Sequence, residues 1–353
     1  MRKLFVFLGV VIMTAGSALR AQEVSSTAPL QKSSWGDADD CDVPEYIPDI
    51  RLDTKVGYNQ NFTDKTGRFC GDGLYLDING KISKHFSYSL NHKIAGFEGS
   101  DLPGFGNTNW LLLTFATENF SISAGKDAIY VGSFEYDAYD LDSYDGMNSM
   151  YWNNCSPWQW GISAAWYPAE DHSLSLQCLN SPFSNQDFGN LFAYALAWRG
   201  SWDFYESYWT ANLWQYDARR FVKALSFGNR FYAGDFTFDL EYMTFSNQVK
   251  DICRNNHTII FAPSYEWSFG RAFAKCGWEV INEDALGYDF TGSNLFYGAG
   301  VEFFPLKDNR DIRLHAAWMS DSNNMCCHIL DIGITWKMNL TKAGKRLFNG
   351  LKK

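Results

Sequence analysis

The chain has 353 residues, a formal net charge of -10, and a composition that is 46% hydrophobic and 17% aromatic. This acidic balance argues against a nucleic-acid partner, because phosphate backbones require a basic face. The mean hydropathy is only -0.28, because apolar residues alternate with polar ones. No apolar run reaches the roughly 20 residues of a membrane-spanning helix, which excludes a helical membrane protein.

The N-terminus has the pattern of a secretory signal. Basic residues at 2 and 3 precede the apolar run 4–13, and small residues lead to Ala21. We therefore predict a signal peptide over 1–21, since the run is too short for an uncleaved membrane anchor. Residues 22–49 are rich in Ser and Thr and then acidic, without apolar periodicity. They are predicted to be a disordered periplasmic lead-in.

A two-residue alternation dominates the chain from residue 50 to residue 340. Over 236–242, every second residue is Phe, Leu or Tyr, and those between are Thr, Asp and Glu. Segments of this length and pattern predict an all-β fold, a transmembrane antiparallel β-barrel of about 16 strands. The predicted strands are 50–60, 72–82, 86–95, 109–117, 120–126, 158–167, 173–179, 190–199, 204–214, 221–231, 236–246, 257–267, 271–281, 293–303, 312–319 and 327–340.

The connections between these strands alternate in length. Short connections predict periplasmic turns and long ones predict external loops, the first of them at 61–71. An even number of strands places both chain ends in the periplasm. Residues 341–353 are then predicted to form a basic periplasmic tail.

The longest connection, 127–157, is acidic and contains no Lys or Arg between its carboxylates. These are Asp127, Glu135, Asp137, Asp140, Asp142 and Asp145. A connection this long is either functional or disordered. We expect it to fold into the lumen as a pore constriction, where its carboxylates would favour cations. The alternative is a solvated acidic loop on the outside.

Five basic residues share the parity of the predicted lumen face. They are Arg51, Lys55, Arg271, Lys275 and Arg313. Opposite an acidic loop, they would create a transverse field that sorts solutes by charge and dipole. The alternative is that they pair with acidic residues of the wall and fill the lumen.

Catalytic and metal-binding motifs are missing from the sequence. The six histidines are scattered, and none lies in an HExxH motif or beside a GxSxG motif. No catalytic residue, metal site or cofactor is therefore predicted, and the protein is not expected to be an enzyme.

Two motifs resemble a known family. The segment Ala124-Gly-Lys126 followed by Val131-Gly-Ser-Phe-Glu-Tyr-Asp137 is similar to a stretch of the phosphate-selective porin O and P family, and 331–336 is similar to its final strand. The resemblance implies a sixteen-stranded, trimeric diffusion channel with a constricting third loop. The acidic third loop lacks the lysines expected to select phosphate, and the chain continues past the last strand.

The sequence therefore favours a porin in the outer membrane of a Gram-negative bacterium. Its expected partners are outer-membrane lipids, small hydrophilic solutes and two further copies in a homotrimer. A different hypothesis is a surface-exposed barrel with a closed lumen, used for binding or adhesion. Its long external loops would then make the contacts.

Overall fold

The computed structural model describes a subset of the 353 residues. The described residues are 47–95, 104–138, 142, 144, 147–149, 157–183, 191–217, 219–254, 256–282, 292–306, 310–322 and 327–344. The predicted signal peptide, most of the predicted lead-in and most of the predicted tail lie outside them.

Sixteen antiparallel strands form one closed barrel in chain order, as the sequence predicts. They are β1 (Asp49–Asn61), β2 (Thr66–Lys81), β3 (Phe86–Ala95), β4 (Thr108–Ala116), β5 (Phe120–Ala128), β6 (Trp158–Ala169), β7 (His172–Asn180), β8 (Phe192–Trp202), β9 (Tyr205–Asp217), β10 (Arg220–Ala233), β11 (Phe236–Ser246), β12 (Asn256–Trp267), β13 (Gly270–Ile281), β14 (Gly292–Phe303), β15 (Ile312–Asp321) and β16 (Cys327–Asn339). Short helical turns are Gly104–Asn107, α1 (Phe134–Asp137) and Val249–Asp251. Among the described residues, no helix is long and apolar enough to cross a membrane.

The barrel closes where the first strand pairs with the last. β1 and β16 pair without a break from Arg51 opposite Asn339 to Asn61 opposite Ile329. The residues just after β16 support this seam. The Thr341 hydroxyl accepts a hydrogen bond from the Ile50 N–H at 3.0 Å. It donates another to the Pro48 carbonyl at 2.7 Å.

The outer face carries the apolar stripes predicted by parity. On the central strands, exposed Trp, Ile, Leu, Phe and Tyr side chains alternate with buried small or polar ones. Examples are Trp160, Ile162, Trp166, Leu174, Leu176, Phe192, Tyr194, Leu196, Ile259 and Phe261. An outward apolar belt with aromatic residues is the surface that a transmembrane barrel presents to lipid.

The prediction of a long external loop over 61–71 is wrong. β1 and β2 are joined by a tight turn, 62–65, because the Asn61 side chain accepts the N–H groups of Thr63 (2.9 Å) and Asp64 (3.0 Å). Lys65 takes a positive φ of 55° to complete the turn. Gly73, with a φ of 144°, lies at a bulge of β2 opposite Lys55 and Val56 of β1.

The barrel interior contains an apolar core that the alternation of residues along the strands did not predict. Three residues of the connection after β5 (Ile129, Val131 and Tyr136) pack against inward side chains of β7 to β12 and of β14. The wall residues are Leu179, Ala193, Trp214, Val222, Ala224, Met243, Phe245, Ile260 and Phe296. Part of the interior is therefore filled by packed side chains rather than by water.

The two faces give a first testable prediction. Leu196 lies at the middle of β8 and is 44% exposed on the outer face. A Leu196→Lys substitution should lower the free energy of unfolding in lipid vesicles by about 2–4 kcal/mol, because a lysine would meet hydrocarbon. The matched variant Ser123→Lys, on the inner face of β5, should show a smaller decrease in the free energy of unfolding. Equal losses in urea unfolding experiments would contradict the assignment of the faces.

Candidate functional site: a loop inside the barrel

The connection between β5 and β6, residues 129–157, is the inner loop. Its ends meet where the Ile129 N–H donates to the Pro157 carbonyl at 2.9 Å. Its first residues then run along the inner wall. The Tyr130 N–H donates to Gln177 of β7 at 3.0 Å, and the Val131 carbonyl accepts from Thr210 of β9 at 2.8 Å. The described part of the loop therefore lies within the barrel.

Asp127, predicted as the first acid of the loop, belongs to the wall. It lies within β5, which extends to Ala128. It is only 5% exposed, and its carboxylate accepts the N–H of Ala128 at 2.8 Å. The strand continues two residues further than predicted, because Asp127 and Ala128 still pair with Gln159 and Trp158 of β6.

The helical turn α1 fixes the shape of the inner loop. Ser133 caps α1, with its hydroxyl accepting the N–H of Tyr136. Gly132 has a φ of 76°, and a Cβ atom there would lie 2.7 Å from the Thr210 hydroxyl and 2.9 Å from the Thr210 nitrogen. Only glycine therefore allows this close approach to the wall.

Two arginines of the wall hold α1. Arg199 of β8 forms an ion pair with Asp137. The guanidinium of Arg230 lies 4.2 Å from the ring centroid of Phe134 and pairs with Asp239 at 2.7 Å. Neither arginine was among the predicted site residues. Arg199 could have been found by parity, since it shares the inward face of β8 with three buried alanines.

Glu135 and Lys275, one predicted in the loop and one in the wall, meet in the interior. The Lys275 ammonium is 2.5 Å from the Glu135 carboxylate, which is nearly fully buried. The same carboxylate accepts the N–H of Ser149 at 2.8 Å. The Glu135 N–H in turn donates to Glu241 of β11 at 3.2 Å. This ion pair spans from α1 to β13.

Asp142 binds two cations of the opposite wall. It pairs with Arg313 of β15, a predicted residue, and with Lys337 of β16 at 3.1 Å. Burial opposes ionisation of the Asp142 carboxyl, but the positive charges of Lys337 and Arg313 outweigh it and hold the pKa of Asp142 well below its usual range. The carboxylate is therefore charged at neutral pH and serves as an anchor.

Tyr144 inserts into the wall beside this anchor. Its ring stacks on Phe273 at a centroid distance of 5.1 Å, and the Lys55 ammonium lies 4.4 Å from the ring centroid. The hydroxyl donates to Glu302 at 3.3 Å. Burial, and then the charge of Glu302, raise the pKa of Tyr144. The phenol therefore stays neutral and keeps its role as a donor.

The remaining predicted basic residues also have acidic partners. The N···O distances are 2.8 Å for Arg51–Asp49, 3.8 Å for Lys55–Asp331 and 3.0 Å for Arg271–Glu302. Asp140 and Asp145 lie outside the described residues. The five predicted basic side chains thus form a wall of mixed charge, in which cations and carboxylates alternate.

Comparison with known families bears on the first half of the chain. The model of the family described as phosphate-selective porin O and P matches residues 49–202. This match confirms the resemblance predicted for the segment 124–137. The similarity predicted for 331–336 lies outside the matched residues. It includes β1 to β8 and the whole inner loop. A comparison with curated proteins finds none that matches.

Solved structures show the same fold at low sequence identity. A loop L8 deletion mutant of the Vibrio cholerae outer membrane protein OmpT has a TM-score of 0.59 at 12% identity, covering 83% of this chain and 100% of that chain. The trimer form of V. cholerae OmpT has a TM-score of 0.56 at 10% sequence identity, covering 83% of this chain and 99% of that chain. Pseudomonas putida OprB has a TM-score of 0.58 at 10% sequence identity, covering 82% of this chain and 94% of that chain.

The anchor at Asp142 gives a prediction with a defined pH dependence. Because the pKa of Asp142 is depressed in the folded state, its stabilisation is present above the unfolded value of about 3.9 and is lost as the pH falls below it. Asp142→Asn should therefore lower the free energy of unfolding at pH 7 by about 1–3 kcal/mol. The difference from wild type should shrink towards pH 3.

Denaturant unfolding in vesicles at several pH values measures this difference. Asp217→Asn is the matched control, because Asp217 pairs with Arg220 at an exposed strand end and should contribute much less. A loss for Asp142→Asn that is the same at pH 7 and pH 3 would contradict the anchor.

Proposed function

We propose that this protein, which the family match and the barrel identify as a porin of the Gram-negative outer membrane, allows passive diffusion of small hydrophilic solutes and ions. The observation that carries the proposal is the contrast between the two faces of one closed barrel. The outside is an apolar belt, whereas Arg, Lys, Asp, Glu, Ser and Asn side chains line much of the inside. A ring of 16 strands is wide enough for an aqueous passage.

The inner loop is the proposed constriction. Contacts with wall residues on β8, β13 and β15 support this role, because they hold the loop across the interior. A loop anchored at both its ends and its middle occupies the same position in every molecule. Asp137 and Asp142, each about one-fifth exposed, would then border the narrowest section, together with the predicted Asp140 and Asp145, and the buried Glu135 would hold the loop in place.

Transport, rather than catalysis, is the activity that follows from this proposal. The V. cholerae OmpT structure described as a trimer form supports a homotrimer embedded in outer-membrane lipids. Export to that membrane would use residues 1–21 as a cleaved signal peptide. The lead-in before β1 and the tail after β16 would both lie in the periplasm.

Reconstitution in planar bilayers tests the proposal. The mature protein should insert in steps of uniform conductance, because each barrel contributes one water-filled path. A correctly folded barrel that leaves the bilayer electrically silent would contradict the porin. It would instead favour the surface-exposed binding barrel with a closed lumen.

Ion preference gives a second test. Every described carboxylate of the inner loop is paired with a cation, so the wild-type channel should show only mild cation preference at low salt. Asp142→Asn removes a negative charge that lies beside both Arg313 and Lys337. In a KCl gradient, its reversal potential should shift towards anions.

Asp217→Asn removes a carboxylate of the same size at an exposed strand end. This control should leave the reversal potential close to wild type. A shift of equal size in both variants would mean that the total charge of the barrel, rather than the inner loop, sets the preference.

A further inference from the structure

Five consecutive strands place neutral hydrogen-bonding groups in one row across the inner wall. Each member lies directly opposite the next in the strand register. The members of this hydroxyl row are Ser87 of β3, Thr114 of β4, Ser123 of β5, Ser163 of β6 and Gln177 of β7. The Thr114 and Ser123 hydroxyls are 2.8 Å apart and bind each other.

The hydroxyl row runs along the inner wall from the end of the barrel with the short turns to the base of the inner loop. Ser87 is the second residue of β3, beside the short turn that precedes it. Gln177 lies three residues before the end of β7, where its amide donates to the Ala128 carbonyl at 2.8 Å. Ser87, Thr114 and Ser123 are half-buried, and the last two members are buried at the base of the loop. The row thus leads along the wall towards the constriction.

This part of the barrel is almost free of charge. Strands β4, β6 and β7 contain no Asp, Glu, Lys or Arg. Strand β3 contains one such residue, Lys93, two positions before its end. In β5 the two charged residues, Lys126 and Asp127, lie at the end that leads into the inner loop. The charged wall is on the opposite side, where β13, β15 and β16 hold the inner loop through ion pairs.

Two aromatic side chains accompany the hydroxyl row. The indole N–H of Trp110 donates to the Ser89 hydroxyl at 2.8 Å. The Tyr167 hydroxyl lies 3.1 Å from the Ser121 hydroxyl. Both aromatic residues are only partly buried. An apolar ring face beside hydroxyl and amide groups matches a molecule with both C–H faces and hydroxyl groups.

We infer that the preferred solutes of this channel are neutral and hydroxyl-rich, such as sugars and polyols, and that they move along the hydroxyl row. The inference rests on the proposed porin function and specifies its substrate class. A sugar hydroxyl can exchange one hydrogen bond for the next along the row, because serine and threonine hydroxyls both donate and accept. An ion finds few counter-charges on this wall, and the cations of the inner loop's ion pairs on the opposite wall are already paired.

The sharpest variant removes the two central hydroxyls together. Thr114→Val with Ser123→Ala deletes a pair that binds each other, so neither change leaves an unsatisfied partner. Thr237 of β11 and Ser264 of β12 form a matched pair elsewhere, directly opposite each other and half-buried. Thr237→Val with Ser264→Ala is therefore the control.

Swelling of protein-containing liposomes measures sugar entry, and KCl conductance in planar bilayers shows that each variant is folded and open. Wild type should admit glucose faster than gluconate or protonated glucosamine, which are similar in size but charged. The Thr114→Val, Ser123→Ala variant should admit glucose about three- to tenfold more slowly, the factor for one lost hydrogen bond. Its KCl conductance, and both properties of the control, should stay near wild type.

Three results would overturn the inference. The first is a wild-type channel that admits gluconate or glucosamine as fast as glucose. The second is an equal loss of glucose entry in both double variants. In these two cases a conducting channel would leave the porin function intact. The third is a folded wild-type barrel with no KCl conductance, which would contradict the proposed porin function as well as the inference.

Discussion

Closure of the sheet between β1 and β16 is the constraint on which the rest of the structure depends. Within a bilayer, a backbone N–H or C=O group has no water to bind, so an open sheet edge would cost several kcal/mol for each unpaired group. The unbroken pairing of the two strands removes that edge. It also fixes the register, because a slip by one residue would turn every apolar side chain inward.

A closed ring of this size encloses more space than its own side chains fill, and the inner loop occupies part of it. One part of the loop packs on apolar residues such as Val131 and Trp214, as in a soluble core. The other part is held by charges. Buried carboxylates such as Glu135 are stable only when paired, and here each pair joins the loop to a different strand. Both kinds of contact make the loop a fixed part of the barrel.

The interior consequently has two unlike sides. Cations and carboxylates alternate on the side of β13 to β16 and β1, and the inner loop covers part of that wall. The side of β3 to β7 presents hydroxyl and amide groups with few charges. Because Glu135, Asp137 and Asp142 each pair with a cation, the field across the proposed passage would be weaker than the acidic sequence of the loop alone suggests. In the proposed channel, hydrogen bonding would then matter more than charge in the choice of solute.

The sequence by itself determined the barrel, the number of strands and the face on which most strand residues lie, because a period of two residues is a local property of a strand. It also identified the acidic connection and five basic wall residues. Only the tertiary structure decided which charges meet, as with Asp142 and Lys337, since residues distant in sequence are joined by closure and by the path of the loop. The turn after Asn61 and the buried position of Asp127 likewise depend on pairing with a neighbouring strand, which alternation along one strand cannot reveal.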